Sequence, residues 1–145
     1  MPGAGDFARR SFASPLSIED AEQILFRTRV FEFGGMPPKR QVQAFNVIFD
    51  QPDAVARFKT VADRGELAGK LYAFCALSML DEQTARMVTA ALSRDQTRVL
   101  VIDSDDIRGF MTAAEVVALV QQRQLGPRIR SDKEETQKYF QNKAG

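Results

Sequence analysis

The run from Leu71 to Leu80 is the feature that most constrains this chain, because every residue in it except Ser78 is apolar or aromatic. A helix that is apolar all round is either buried on every side or embedded in a membrane. The run is far shorter than the roughly 20 residues that a membrane span needs. The sequence therefore predicts no membrane span and a buried central helix over residues 67–80, which other helices must cover.

Length and composition are those of an ordinary globular domain. The chain has 145 residues, of which 44% are hydrophobic and 27% charged, and this length suits one domain with a substantial core. Its 20 basic and 19 acidic residues leave a net charge of +1. Such a balance argues against a strongly charged partner, and no aromatic residues interleave the basic ones as a nucleic-acid platform requires. Nucleic acid is therefore not the expected partner.

The single cysteine, Cys75, excludes a disulfide within the chain. The compartment stays open, with a reducing cytosol as the default and an exported mature domain as the alternative. Residues 1–14 hold no continuous apolar segment of a signal peptide. We expect a flexible leader over residues 1–15, a single helical domain over 16–126, and a polar tail over 127–145 that is a marginal helix or disordered.

Capping residues and apolar stripes predict the helices. Ser17 with Asp20 opens the first helix, and residues 30–33 either end it or form a short extended piece before the break at residues 34–38. Three-and-four spacing predicts further helices over residues 39–50 and 52–64, and Asp81 caps the helix that follows the central one. Residues 97–111 fit a small β-hairpin, after which Thr112 and Glu115 form a capping box.

Two of these helix pairs are similar in sequence. Ala44-Phe45 aligns with Ala73-Phe74, and Ala56-Arg57 aligns with Ala85-Arg86. Over residues 40–95 the pairs resemble HEAT-like and armadillo-like helical repeats. That resemblance implies a mainly α fold of antiparallel helix pairs around the buried central helix, with one small β-hairpin. Residues 68–73 are also similar to a group of uncharacterised bacterial helical proteins, some of them exported, and this resemblance implies no activity.

Residues that usually carry chemistry are missing from the sequence. The chain contains no histidine, which removes Ser-His and Cys-His nucleophile pairs and the commonest general base. A calcium loop with Gly109 at its sixth position and Glu115 at its twelfth places Arg108 at a ligand position, where a carboxylate or carbonyl oxygen is needed. We predict no catalytic residue, cofactor or metal site. A histidine-free enzyme using a carboxylate pair remains a less favoured alternative.

The expected function is therefore a non-catalytic protein-binding module on a helical scaffold. A narrower alternative is a bacterial toxin-neutralising protein of the immunity type, by analogy with other small helical proteins. Two segments are candidate partner surfaces: an apolar one beside the glycine-proline break, for which the alternative is core packing beside the helix at residues 42–49, and a charged hairpin tip, for which the alternative is a solvated turn. Their residues are Phe31, Phe33 and Met36, and Asp103, Asp105, Asp106 and Arg108. The identity of the partner and the oligomeric state stay open.

Overall fold

A computed structural model describes residues 16–34, 38–104 and 106–122. This part of the chain is mainly helical, with a small three-stranded sheet. Its elements are, in chain order, α1 (Ile18–Arg27), β1 (Val30–Phe33), α2 (Arg40–Phe49), α3 (Ala54–Arg64), α4 (Leu67–Leu80), α5 (Glu82–Leu92), β2 (Arg98–Asp103), β3 (Asp106–Thr112) and α6 (Ala113–Gln121). The predicted leader over residues 1–15 and the whole predicted tail over residues 127–145 lie outside the described residues.

The helices begin where the capping residues predict. The Ser17 side chain accepts a hydrogen bond from the Asp20 N–H at 3.1 Å, and Asp81 accepts one from the Thr84 N–H at 3.3 Å. Thr112 and Glu115 form the complete reciprocal capping box at the start of α6. Each bond satisfies one of the N–H groups that a helix leaves unpaired in its first turn. These predictions are confirmed.

Helix α4 is the most buried helix of the described chain. The residues from Leu71 to Leu77 are all buried, together with Ala68 and Gly69. The helix contacts α1, α3, α5, α6 and β1, so neighbours cover it on several sides. The predicted buried central helix is confirmed. None of the helices in the described ranges is long and apolar enough to cross a membrane.

The sheet extends the predicted hairpin by one strand. Strands β2 and β3 pair antiparallel, as the hairpin prediction requires, and β1 pairs with β2 in parallel to give the order β1-β2-β3. Of the two alternatives for residues 30–33, the extended one is correct, because α1 already ends at Arg27. Phe31 and Phe33 alternate with Val30 and Glu32, which is the two-residue period of a strand with one buried face.

The hydroxyl of Tyr72 forms hydrogen bonds with the backbone at the outer edge of β1. It accepts a hydrogen bond from the Glu32 N–H at 2.8 Å and donates one to the Glu32 carbonyl oxygen. Both backbone groups that Glu32 turns away from β2 are therefore satisfied by a side chain of α4. A strand edge with unpaired backbone groups is a template for pairing with another chain, and Tyr72 occupies that position here.

We expect Tyr72→Phe to lower the free energy of unfolding by about 1 to 2 kcal/mol, because two part-buried backbone groups lose their partner. The amide of Glu32 should also exchange with solvent faster than in the parent protein. Urea denaturation and hydrogen exchange measure the two effects. An unchanged exchange rate at Glu32 would show that Tyr72 does not hold this strand edge.

Candidate functional site

The two segments predicted as partner surfaces meet at one end of the sheet. Because β1 and β2 are parallel, the carboxyl end of β1 lies beside the turn between β2 and β3. The Ser104 N–H donates to the Phe33 carbonyl oxygen at 2.8 Å. Gly34, with φ +80°, lies so close that a Cβ on it would be 2.3 Å from the Ser104 hydroxyl oxygen. From the sequence, the two segments were separate candidates. The parallel pairing of β1 with β2 brings them together.

Of the two alternatives for Phe31 and Phe33, core packing is correct and the partner surface is wrong. Both side chains are buried on the inner face of the sheet. The Phe31 ring centroid lies 5.4 Å from that of Phe33 and 4.8 Å from that of Tyr72. The two phenylalanines are core residues and offer no exposed contact surface. Met36, the third member of that predicted surface, lies outside the described residues.

The charged hairpin tip is corrected in part. Asp103 is only 5% exposed, so it belongs to the inner side of the sheet and not to an open tip. Its carboxylate accepts hydrogen bonds from Arg108 Nη2 at 3.1 Å and from the Ser104 hydroxyl at 3.3 Å. Asp106 and Arg108 are exposed, and Asp105 lies outside the described residues. Arg108 is therefore an exposed residue that also forms an ion pair with the buried Asp103.

A β-bulge in β3 decides which side chains the hairpin exposes. Val101 pairs with Gly109 and Ile102 pairs with Ile107, so Arg108 is an extra residue in the ladder. Gly109 takes a φ of +104°, which favours glycine. Phe110 lies opposite Leu100 and Ile107 lies opposite Ile102. Since directly opposed residues share a face, the bulge brings Ile107 and Phe110 to the same side of the sheet.

That side is the outer sheet face, which we define by seven residues in three rows across the strands. One row contains Arg98 alone, because its partner Thr112 caps α6, the next places Leu100 between Val30 and Phe110, and the third places Ile102 between Glu32 and Ile107. Ile107 is 73% exposed and Phe110 is 66% exposed. The apolar residues of β1 and β2 in these rows are half-buried. The seven residues are Val30, Glu32, Arg98, Leu100, Ile102, Ile107 and Phe110.

The outer sheet face has charges of opposite sign at its two ends. Glu32 lies in the row nearest the hairpin turn, where its Oε1 accepts a hydrogen bond from Gln41 Nε2 at 3.2 Å. Arg98 is exposed in the row at the opposite end, close to Glu115. Hydrogen bonds from the Thr112 backbone and side chain hold the pKa of Glu115 below its ordinary value, with a smaller contribution from the positive charge of Arg98. The apolar rows therefore lie between Glu32 at one corner and Arg98, with Glu115 beside it, at the other.

A second candidate surface is a groove of about 210 Å³ between α3, α4 and α5. Met87, which is 67% exposed, contributes to its lining, and Lys59, Asp63, Lys70 and Asp95 bring charges of both signs to it. The rest of its lining is Ala62 of α3 and Thr84, Val88, Ala91 and Leu92 of α5. The groove thus offers one large exposed apolar side chain, against two adjacent ones on the outer sheet face.

The remaining candidates for chemistry are a thiol and a set of carboxylates. Cys75 is fully enclosed in α4, and burial raises the pKa of its thiol well above the ordinary value. A buried protonated thiol is a packing residue and a poor nucleophile. In residues 16–34, 38–104 and 106–122, the Cys, Asp and Glu side chains form no group of three that would hold a metal ion. Glu115 is the twelfth residue of the calcium-loop alignment, and its carboxylate already accepts the capping hydrogen bond from the Thr112 N–H.

Sequence reasoning placed Ile107 to Met111 in a strand but missed the exposed pair. If the side chains alternate strictly between the two faces from Ile107 onward, Phe110 lies on the face opposite to Ile107. The sequence therefore does not predict that the two residues share a surface. The signal that identifies the bulge is Gly109, since a glycine inside a strand often marks one. No family model, curated protein or solved structure matches this chain.

Proposed function

We propose that this protein is a non-catalytic protein-binding module and that its partner contacts the outer sheet face. The observation that carries the proposal is the position of Ile107 and Phe110, two large apolar side chains that are mostly exposed on the same face. Neighbouring exposed apolar residues with a polar rim mark interaction sites. Aromatic side chains in particular are enriched in the centres of protein interfaces.

The face is a better contact surface than either edge of the sheet. Tyr72 already bonds the outward backbone groups of Glu32 in β1. The bulge at Arg108 and Gly109 interrupts the regular ladder of β3. Bulged or covered strands are poor templates for adding a further strand. The side chains of the outer sheet face, and not its backbone, therefore supply the contacts in this proposal.

The chemistry of the chain supports a binding function over an enzymatic one. The sequence has no histidine, so a catalytic mechanism would depend on carboxylates, lysine, tyrosine or cysteine. The one cysteine is buried and its pKa is raised. The acidic groups with lowered pKa values, Asp95 and Glu115, accept hydrogen bonds from Thr97 and Thr112, their own neighbours in the chain. These bonds are typical of turn and helix capping.

We propose that the helices supply a HEAT-like scaffold behind this surface, in which α2–α3 and α4–α5 form two antiparallel pairs. The connection from α4 to α5 is the single residue Asp81, and α2 leads to α3 through residues 50–53. Short connections between consecutive helices favour antiparallel neighbours, although α2 packs more extensively on α1 than on α3. An experimental structure tests the repeat directly: the two pairs should superpose with Ala44 on Ala73 and Ala56 on Ala85.

The partner is best tested by affinity capture from the source organism with three versions of the full chain. Phe110→Ser removes the aromatic side chain from the outer sheet face, and Met87→Ser is the matched control, because Met87 is equally exposed on α5. We expect Phe110→Ser to weaken binding of the recovered partner about tenfold or more, as loss of a central interface residue does. Met87→Ser should bind like the parent, and all three should melt together.

The identity of the recovered protein separates the two forms of the proposal. One dominant toxic enzyme, whose activity is blocked by the parent chain and not by Phe110→Ser, would make this a toxin-neutralising protein. Partners without toxicity would make it a general binding module. Partner binding that survives Phe110→Ser and is lost in Met87→Ser would contradict the proposed surface and favour the groove between α3, α4 and α5.

A further inference from the structure

We infer that the segment that binds the outer sheet face is a single amphipathic helix, with a basic residue over Glu32 and an acidic residue over Arg98. The inference rests on the proposed function and adds the chemistry and orientation of the partner. Its supports are the dimensions of the face, the spacing of its apolar rows and the charges at its two ends. Each support comes from the register of the three strands.

The dimensions of the face fit one helix. Three strands about 4.8 Å apart make a surface roughly 15 Å wide, and a six-residue strand such as β2 is about 20 Å long. An α-helix with its side chains is about 10 to 12 Å across, and four turns span about 22 Å. One helix lying along the strands therefore covers the apolar rows, and a second helix beside it would have no apolar surface below it.

A second copy of this chain fits the face less well. The estimated dimensions give roughly 300 Å² per partner, whereas stable protein interfaces bury about 800 Å² on each side, so this face suits a weak, transient helix contact and is too small for a stable dimer. A helix narrower than the face leaves both charged corners at the rim, where paired charges remain solvated.

The apolar rows match the period of a helix. Leu100 and Ile102 are two residues apart on β2, or about 6.6 Å, and Phe110 and Ile107 stand beside them in the same rows. Successive turns of a helix are about 5.4 Å apart. Apolar residues at i and i+4 of the partner would thus stand above the two apolar rows, and one at i+7 would lie toward the row of Arg98, as in other complexes in which a helix lies in an apolar groove.

The charged corners orient the helix. Arg98 and Ile102, whose row contains Glu32, are four residues apart on β2, which is about 13 Å. At about 1.5 Å per residue this distance corresponds to roughly nine helical positions. A partner helix with lysine or arginine at one end of its apolar stripe and aspartate or glutamate at the other end would pair with both corners. The reverse orientation would place like charges together at both ends.

The test uses three synthetic helical peptides of about 15 residues. Each has a background of alanine and glutamine, with leucines at positions i, i+4 and i+7. One has a glutamate before the leucine stripe and a lysine after it, one has lysines at both ends, and one has glutamates at both ends. Fluorescence anisotropy measures affinity for the full chain. Amide chemical shifts locate the bound peptide, and we expect the largest changes at Leu100, Ile102 and Phe110.

We expect the mixed-charge peptide to bind a few-fold more tightly than either peptide with matched ends, with a preference that salt weakens. Arg98→Glu should shift the preference to the double-lysine peptide, and Glu32→Lys should shift it to the double-glutamate peptide. Phe110→Ser should weaken all three about tenfold or more, and Met87→Ser should weaken none. Glu32→Gln is the conservative variant that keeps the hydrogen-bonding shape if Glu32→Lys unfolds.

Several results would overturn the inference. They are shift changes confined to the Met87 groove, no binding of any peptide, or an unaltered charge preference in both corner variants. Concentration-dependent dimers that Phe110→Ser disperses would identify a second copy as the occupant. Nuclear Overhauser contacts from Tyr139 or Phe140 to Phe110 in the free protein would identify the chain's own C-terminal segment. A natural partner that still depends on Phe110 would leave the proposed function standing in each of the first three cases.

Discussion

Replacing Gly69 with alanine is expected to lower the free energy of unfolding by about 3 kcal/mol, even though alanine is the better helix former. A Cβ at position 69 would lie 2.1 Å from the carbonyl oxygen of Leu25 and 3.1 Å from its carbonyl carbon. These are backbone atoms of α1 and cannot rotate away as a flexible side chain would. Either α1 or α4 would have to move, and in a close-packed core that movement disturbs further contacts.

Chemical denaturation of the full chain measures this effect, with Ser78→Ala as the control in the same helix. Ser78 is exposed on α4, and its hydroxyl donates only to the Phe74 carbonyl within that helix. The control should change stability by less than about 0.5 kcal/mol. A Gly69→Ala protein as stable as the parent, or more stable through its higher helix propensity, would show that α1 and α4 do not approach this closely.

Local signals in the sequence predicted the elements that depend on neighbours along the chain. The apolar run from Leu71 to Leu80 identified the buried helix, because no amphipathic pattern divides it into two faces. Ser17, Asp81 and Thr112 identified three helix starts, because a capping side chain bonds an N–H only two or three residues away. The β2–β3 hairpin was predicted for the same reason, since its strands are joined by a short turn.

Features that depend on distant parts of the chain were not predicted. The pairing of Val30 with Leu100 is a parallel contact between segments separated by four helices, and nothing within residues 30–33 specifies that partner. Without the pairing, the sequence left two alternatives for Phe31 and Phe33, which were a partner surface beside the break and packing in the core. The close approach of the Leu25 backbone to Gly69 could not be predicted either, because the sequence shows only a glycine within a helical pattern.

The outer sheet face that we propose as the site was not predicted from the sequence. The segments containing Phe33 and Asp103 do meet, yet both residues face the core. The exposed pair, Ile107 and Phe110, depends on one extra residue in the ladder of β3. A shift of a single residue moves side chains between the faces of a strand. The placement of a bulge therefore decides which residues this face of the sheet exposes.

The side chain of Asn46 is the least satisfied polar group in the described core. Asn46 is 7% exposed on α2, and neither its amide nitrogen nor its amide oxygen has a hydrogen-bond partner. A buried amide without partners loses its bonds to water and gains nothing in return, at a cost of about 1 to 3 kcal/mol. An apolar residue of the same shape removes that penalty.

Asn46→Leu is therefore expected to raise the free energy of unfolding by about 2 to 3 kcal/mol, since leucine has a similar shape and a higher helix propensity. Gln43→Leu is the matched control on the same helix. Its amide nitrogen donates to the Pro38 carbonyl oxygen at 2.9 Å, so the same kind of substitution there removes a bond that is made. We expect the control to be neutral or destabilised in urea denaturation. A destabilised Asn46→Leu protein beside a neutral Gln43→Leu protein would show that the Asn46 amide has polar partners in solution. In that case water would reach the buried side of α2 more than its low exposure indicates.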